Sequence, residues 1–290
     1  MPKIPRQWSI GIFAGNSPTQ LRCPSTLRDG VLHARDITDV DAAFVADPFM
    51  IERHDGWHLF FEVMDAARRR GVIGLATSRD LRRWSYQQIV LQEPFHLSYP
   101  HIFEADGDCY MTVETLGRQC VSLYRGDPFP TRWTFVAPLL QGDYADPSIV
   151  WHNDKWWLFV CGAPYRHDVL RLFYSSTLKG LWREHPASPL VVADPRAARP
   201  AGRVIHHDGK LIRYAQDCVP AYGTSVRAFS IDELTPERYA EHELPGGPVL
   251  GPGAEFWNRS GMHHADVHCI SKENWVACVD GWTLESVAFP

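Results

Sequence analysis

From residue 44 onward, apolar and polar positions alternate in short stretches, the two-residue period of strands that bury one face; no stretch sustains the 3.6-residue period of a helix. The stretches recur in a fixed order. Each unit opens on a polar-Pro or polar-Gly turn, runs through an apolar strand, a charged turn and an aromatic-rich strand, and then into outer strands. The first unit runs Val45-Ala-Asp-Pro-Phe-Met-Ile, turns at His54-Asp-Gly, continues Trp57-His-Leu-Phe-Phe-Glu and Gly71-Val-Ile-Gly-Leu-Ala, and closes near Trp84. The second repeats it from Ser98-Tyr-Pro-His-Ile-Phe to Trp133, the third from Ala145-Asp-Pro-Ser-Ile-Val to Trp182, and the fourth from Arg199-Pro-Ala-Gly-Arg-Val. A fifth, shorter unit holds His263-His-Ala-Asp-Val-His and Trp275-Val-Ala-Cys-Val-Asp.

The opening prolines Pro48, Pro100, Pro147 and Pro200 stand 52, 47 and 53 residues apart, the period of a four-stranded propeller blade. Asp-Gly turns between the strands suit hairpins. The pattern predicts an all-β, five-bladed β-propeller in a single domain over residues 1–290, with blades at about 44–90, 97–137, 143–190, 198–244 and 260–290. The last unit lacks its outer strands, and a spare strand at residues 8–14 is placed to complete it and close the ring. A two-sheet sandwich would also give many short strands, but not a period of this length. The recurring Trp84, Trp133 and Trp182 read as blade-to-blade packing.

Charge and composition narrow the function. Lys and Arg number 29 against 34 Asp and Glu, a net charge of −5 with no long basic run, which disfavours nucleic acid as a partner. Eleven Trp, 10 Tyr and 14 Phe are more rings than a core requires, and flat ligands such as sugars stack on rings. Seven scattered cysteines without a Cys-x-x-Cys support neither a disulfide framework nor a zinc knuckle. With no export signal and no apolar run long enough to span a bilayer, a cytoplasmic location without a membrane span is expected.

In a propeller the innermost strand of each blade lines the central channel, so equivalent positions converge on one mouth. Those positions are Asp47; Ser98, Tyr99 and His101; Asp146; Arg199; and His263, His264 and Asp266. The following strands add Glu62, Glu114 and Gln216. An Asp before Pro often only initiates a turn, but here it recurs at the same place in two units. Carboxylates that accept hydroxyl hydrogens and an Arg that forks onto an anion suit a polyhydroxylated ligand. Tyr99, Tyr144, Tyr222 and Trp257 are candidate stacking platforms, and the stretch Tyr165-Arg-His-Asp168 reads equally as a solvated turn or a rim contact. His264, Asp266 and His268 would share one strand face, which raises a zinc reading; no second ligand cluster has zinc spacing, so no metal is assigned. No cofactor is called for, and the sequence leaves open whether Ca²⁺ or another ion plugs the channel.

The run Leu97-Ser-Tyr-Pro-His-Ile-Phe-Glu within residues 93–115, Gly180-Leu-Trp-Arg-Glu-His-Pro, Ala198-Arg-Pro-Ala-Gly-Arg, Arg213-Tyr-Ala-Gln-Asp-Cys and Ala221-Tyr-Gly resemble the N-terminal propeller domain of the glucosamine inositolphosphorylceramide transferase family. In that family the propeller accompanies a glycosyltransferase or, in bacterial relatives, a formyltransferase; the resemblance implies a separate transferase as partner. More distantly the chain is similar to the arabinanase/β-xylosidase and invertase/levansucrase propeller glycosidases. That resemblance implies Asp47 as base or nucleophile and Asp146 as the acid that tunes the proton donor and holds the sugar. Their proton donor is a Glu in the fourth blade, where this chain has Arg199-Pro-Ala-Gly202; Glu114, His101 or His264 would have to substitute. The expected function is a glycoside hydrolase or transglycosylase on a furanose- or aminosugar-containing substrate, with Asp47, Asp146 and Glu114 catalytic and Glu62, Tyr99, His101, Arg199, Gln216, Tyr222, His263, His264 and Asp266 binding. The alternative is a non-catalytic glycan or sugar-nucleotide recognition module serving that transferase.

Overall fold

The structure is a computed structural model, described here for residues 6–284. It consists of five antiparallel sheets arranged as a five-bladed propeller, with short 3₁₀ turns as the only helical elements among the described residues. From the channel outward the first blade comprises Ala42–Arg53, Gly56–Asp65, Arg70–Ser78 and Ser85–Leu91, and the second Ser98–Ala105, Asp108–Thr115, Cys120–Gly126 and Trp133–Gln141. The third has Ala145–His152, Lys155–Cys161 and Val169–Ser175, with an outer edge split into Arg183–Glu184 and Val191–Val192. The fourth has a broken inner strand, Arg199–Pro200 and Ile205–His207, followed by Lys210–Asp217, Ser225–Leu234 and Tyr239–Glu243. The break falls where Pro200 has no amide hydrogen to give and Gly202 adopts φ +127°.

The fifth blade joins the two ends of the chain. Ala265–Ser271 and Asn274–Thr283 pair with the N-terminal strand Gln7–Gly15, in register from Gln7 opposite Thr283 to Gly15 opposite Trp275, and Leu21–Arg22 adds the edge. The expected closure of the ring by the N-terminal strand is therefore present. Hairpins turn where the chain tolerates positive φ at both central residues, as at Asp106-Gly107 and Asn153-Asp154.

Five large apolar clusters hold the ring, and each lies between two neighbouring blades. Between the first and second, Phe49, Phe60 and Ile73 meet Tyr99, Ile102 and Met111, and the Trp133 ring stands edge-on to Phe60 at 5.2 Å. The lower channel is bridged by Arg203. Its guanidinium binds Asp266 Oδ1 at 2.8 Å and the carbonyls of Met50 at 3.3 Å and Ile102 at 3.0 Å, linking four blades. Six of the seven cysteines are buried or half-buried, and all are free thiols. No helix among the described residues is long and apolar enough to cross a membrane.

Candidate functional site

At the mouth, three blades open identically. Asp47, Tyr99 and Asp146 each precede a proline and each adopt φ +51°, and the pairing with the second strand slips there, between Ala46 and Phe49, Ser98 and His101, and Ala145 and Ser148. The left-handed residue at this bulge detaches its own amide from the blade's ladder. A neighbouring blade's carboxylate takes up that amide. Asp280 Oδ2 accepts from Asp47 N at 2.9 Å, Asp47 Oδ2 from Tyr99 N at 3.2 Å, and Glu114 Oε2 from Asp146 N at 3.0 Å. The acids are thus latches between blades as well as the lining of the mouth.

Asp146 is held most firmly. Arg199 grips it with two bonds, Nε to Oδ2 at 2.5 Å and Nη2 to Oδ1 at 3.2 Å, and Gln216 Nε2 donates to Oδ2 at 2.6 Å. Arg199 Nη1 reaches the Pro164 carbonyl and His167 Nδ1, both at 2.9 Å, and its Nη2 lies 3.8 Å from Glu114. The 165–168 stretch therefore brings His167 into the site, its ring 5.0 Å from that of Tyr222, over which Arg199 also lies at 5.1 Å. Burial disfavours the Arg199 cation, but Asp146 outweighs it and holds the pKa above the ordinary arginine value. Burial and the Arg199 charge push His167 down to about 4, so it is neutral.

Opposite, His263 lies between two acids, Nδ1 at 2.7 Å from Asp280 and Nε2 at 3.6 Å from Asp47, with Trp8 against its ring at 4.2 Å. Burial opposes an imidazolium there, yet Asp280 and Asp47 raise its pKa; burial likewise opposes the Asp280 carboxylate, and His263 lowers it. Among the described residues Asp47, His263 and Asp280 are the one group whose ligand-type atoms all lie within 4.8 Å of one another. The imidazole there already bridges the carboxylates, so the group is satisfied as an ion-pair network.

Three acids have no strong cation of their own. Burial, with Asp146 next, pushes Glu114 up to about 8. Burial also raises Asp47 and Glu62, reinforced by neighbouring carboxylates and, for Asp47, opposed by His263. Glu62 Oε1 is buried without a hydrogen bond; His96 Nε2 lies 3.4 Å away, outside bonding alignment.

Asp47, Glu62, Glu114, Asp146, Arg199, Gln216, Tyr222 and His263 are thus gathered at the mouth. Four further candidates lie elsewhere. Tyr99, expected as a stacking platform, is fully buried; its hydroxyl accepts from Gly202 N at 2.5 Å and meets Ser148 Oγ at 2.7 Å, so it is a strut across the channel. His101 is likewise fully buried, stacked on Phe49 at 4.6 Å, with Nδ1 accepting from Ile149 N. His264 stands edge-on to Phe49 and Tyr99 with neither ring nitrogen hydrogen-bonded, and burial brings its pKa down to about 4. Asp266 is committed to Arg203, Met50 N and His268 at 2.7–2.8 Å, which removes it from both sugar and zinc readings. Trp257 and Tyr144 do not stack on a ligand either: Trp257 is buried against Gly11 and Gly281, and Tyr144 packs on Phe173 at 5.5 Å. His167 belongs to the 165–168 stretch, for which the contact with Arg199 favours the rim reading over a solvated turn, and Asp280 is the mouth residue absent from the sequence-based expectation. Asp280 had a signal, since Trp275-Val-Ala-Cys-Val-Asp280 places it on the fifth unit's second strand where Glu62, Glu114 and Gln216 stand on theirs.

Residues 5–282 match the family described as glucosamine inositolphosphorylceramide transferase 1, N-terminal. The chain belongs to this family. The rice (Oryza sativa subsp. japonica) glucosamine inositolphosphorylceramide transferase 1 is 33% identical over 304 residues, covering 97% of this chain and 41% of that protein. This family member therefore spans about two fifths of its rice relative. Among solved structures the fold is similar to RS223-β-xylosidase, with TM-score 0.60 and 13% identity over 79% of this chain and 82% of that one. An exo-β-1,3-galactanase from Clostridium thermocellum gives TM-score 0.58 and 13% identity over 76% of this chain and 52% of that one. At such identity these two share the fold with the family.

Proposed function

We propose that this propeller binds a sugar conjugate, furanose- or aminosugar-containing, at the channel mouth and acts on its glycosidic bond, with Glu114 as proton donor and Asp47 as the opposing carboxylate. The observation that carries the reading is the delivery of Asp47, Glu114 and Asp146 to one mouth by three successive blades. Glu114, kept protonated near neutrality, gives its proton to the leaving oxygen as the C1–O bond breaks. Asp47 takes the proton of the water or hydroxyl that adds to C1, or itself bonds to C1 and is then displaced. Asp146, gripped by Arg199 and Gln216, stays a fixed negative charge that keeps the Glu114 proton in place and steadies the oxocarbenium-like transition state.

A second reading has its own support. Arg199 stands at the fourth-blade position and engages Asp146 directly, which favours a recognition module that presents a glycan or sugar nucleotide to a glycosyl- or formyltransferase. Incubation of wild type, Asp47→Asn and Glu114→Gln with furanosides, amino-sugar glycosides and sugar nucleotides separates the two. Catalysis predicts wild-type turnover that falls by about 10²–10⁴-fold in each variant while binding persists. Binding by wild type without turnover of any member refutes catalysis and leaves recognition.

A further inference from the structure

At the end of the first blade away from the mouth, the Asp55-Gly56 hairpin and the turn after Ser78 enclose a cavity of about 500 Å³. His58 forms part of its wall. The residue is 3% exposed, its ring packs 5.1 Å from that of Phe129, and its Nδ1 is buried without an aligned hydrogen bond. Arg79 and Arg83 line the same cavity, and neither guanidinium forms an ion pair or a hydrogen bond with any described residue. Two carboxylates share the wall, but both are already engaged. Asp80 Oδ1 accepts from the amides of Arg83 at 2.8 Å and Arg82 at 2.9 Å and from Ser78 Oγ at 3.2 Å, bonds that hold its pKa below the ordinary carboxylate value. Asp55 Oδ2 faces His58 Nε2 at 3.5 Å. Thr77, paired with His58 across the two strands, accepts from Gln87 Nε2 at 3.1 Å and keeps its own hydroxyl hydrogen to give. The unused polar capacity here is therefore mainly that of donors: two guanidinium forks and a hydroxyl beside a buried imidazole.

We propose that this cavity is an anion site, in which a tetrahedral dianion, a phosphate or sulfate group, seats between Arg79, Arg83 and His58. It stands apart from the channel mouth and does not rest on the sugar reading. Each planar guanidinium can pair with two oxygens of such a group, and a tetrahedral dianion has enough oxygens for both forks, whereas a carboxylate has one charge and two oxygens. In the free protein burial lowers the His58 pKa, Arg53 and His54 act in the same sense, and Asp55 and the Gly56 backbone oppose them, so the ring is neutral near pH 7. Arg79, Arg83 and Asp80 are the other charges around the cavity. A bound dianion supplies negative charge beside the ring and favours the imidazolium, whose two nitrogens both donate. Binding then takes up a proton, and affinity falls as pH rises through the raised His58 pKa of the complex. Free anions and phosphate or sulfate esters offer the same oxygens.

Calorimetric titration of the full chain with sodium sulfate tests this, at pH 5.5, 6.5 and 7.5 and at one ionic strength held with sodium chloride. Sulfate keeps its charge across that range, so any pH dependence belongs to the protein. Saturable binding is expected, tighter at pH 5.5 than at 7.5 by at least about threefold. Arg79→Gln and Arg83→Gln, at exposed positions and each checked for a wild-type melt, should weaken it by about tenfold, as for loss of a charge-assisted hydrogen bond. His58→Asn should remove the pH dependence, and acetate should not displace sulfate. Inorganic phosphate and phenyl phosphate, compared at pH 7.5, distinguish the sources: tighter binding of the ester assigns the site to a phosphorylated ligand, and binding of the inorganic ion alone to a free anion. Absence of saturable binding at tens of millimolar sulfate, or unchanged affinity in both arginine variants, overturns the site. A pH-independent affinity, or the same pH dependence in His58→Asn, overturns the part given to His58.

Discussion

Replacing Glu114 by Gln should flatten the alkaline loss of stability. The Glu114 carboxyl has a pKa of about 8 in the fold against an ordinary 4.5, so between those values the folded protein holds a proton that the unfolded chain has released. Stability then falls as pH rises, since ∂ΔGunfold/∂pH follows the protons bound by the unfolded state minus those bound by the folded state. From pH 6.5 to 8 this one group removes about 1.6 kcal/mol, an order-of-magnitude figure obtained by integrating the linkage relation. At an unfolding entropy of about 2.1 cal/mol/K per residue, a 290-residue chain shifts by roughly 1.6 °C per kcal/mol, so that is a Tm decrease of about 3 °C. The histidines with lowered pKa act in the opposite sense, but only below about 6.5, where the unfolded chain begins to protonate them. Raised His263, Asp47 and Glu62 act in the same sense as Glu114 and remain in the variant. The informative quantity is therefore the difference between wild type and Glu114→Gln, read from thermal melts at pH 6.5, 7.25 and 8 at constant ionic strength. A Gln at this place can still accept from Asp146 N, so the latch survives. Parallel Tm-against-pH lines for the two proteins would refute the claim that Glu114 holds its proton through neutrality.

Other perturbations follow from the same contacts. Arg199→Met strands the buried Asp146 carboxylate and should cost about 3–5 kcal/mol, whereas adding Asp146→Leu should restore part of the loss; chemical denaturation of both single variants and the double variant gives the coupling. Gly202→Ala puts a Cβ 2.0 Å from the Ala265 carbonyl at φ +127° and should lower stability by about 3 kcal/mol or more, visible as a drop in the urea midpoint. Deletion of residues 1–15 takes the buried Ile10 and Ile12 from the junction of fifth and first blades and opens the Asn274–Thr283 edge, so the product should melt without a cooperative transition in calorimetry.

Much of this architecture is legible in the chain because a propeller repeats. The spacing of Pro48, Pro100, Pro147 and Pro200 carries the blade period, and the short fifth unit with a spare strand at the start already implies a ring closed across the termini. Depth along the channel is less legible. Asp47, Tyr99 and Asp146 share one position, one φ and one following proline, yet Tyr99 turns its hydroxyl to Gly202 and Ser148 while the two acids remain at the mouth. Nothing in the repeat distinguishes them, because the difference lies in what the fourth blade presents across the channel. The broken strand at Gly202 makes room for a phenol, and Arg199 awaits a carboxylate.

The latch arrangement explains why residue type alone was a poor guide to role. Each bulge frees an amide, each freed amide needs an acceptor in a place with little water, and the nearest acceptor is a side chain of another blade. Asp280, Asp47 and Glu114 meet that need in turn around the ring. A carboxylate at the mouth is therefore required by the fold whether or not any sugar is bound, and its presence is weak evidence for chemistry. The surplus is stronger evidence. Asp280 latches an amide and has His263 beside it, whereas Glu62 Oε1 is buried without a bond, and burial and the Asp146 charge raise the Glu114 pKa despite its latch. An acid that closes a backbone gap needs one hydrogen bond; Asp47 and Glu114 have that role, whereas Glu62 closes no gap and has no cation, and it is beside this carboxyl that a ligand has to be sought.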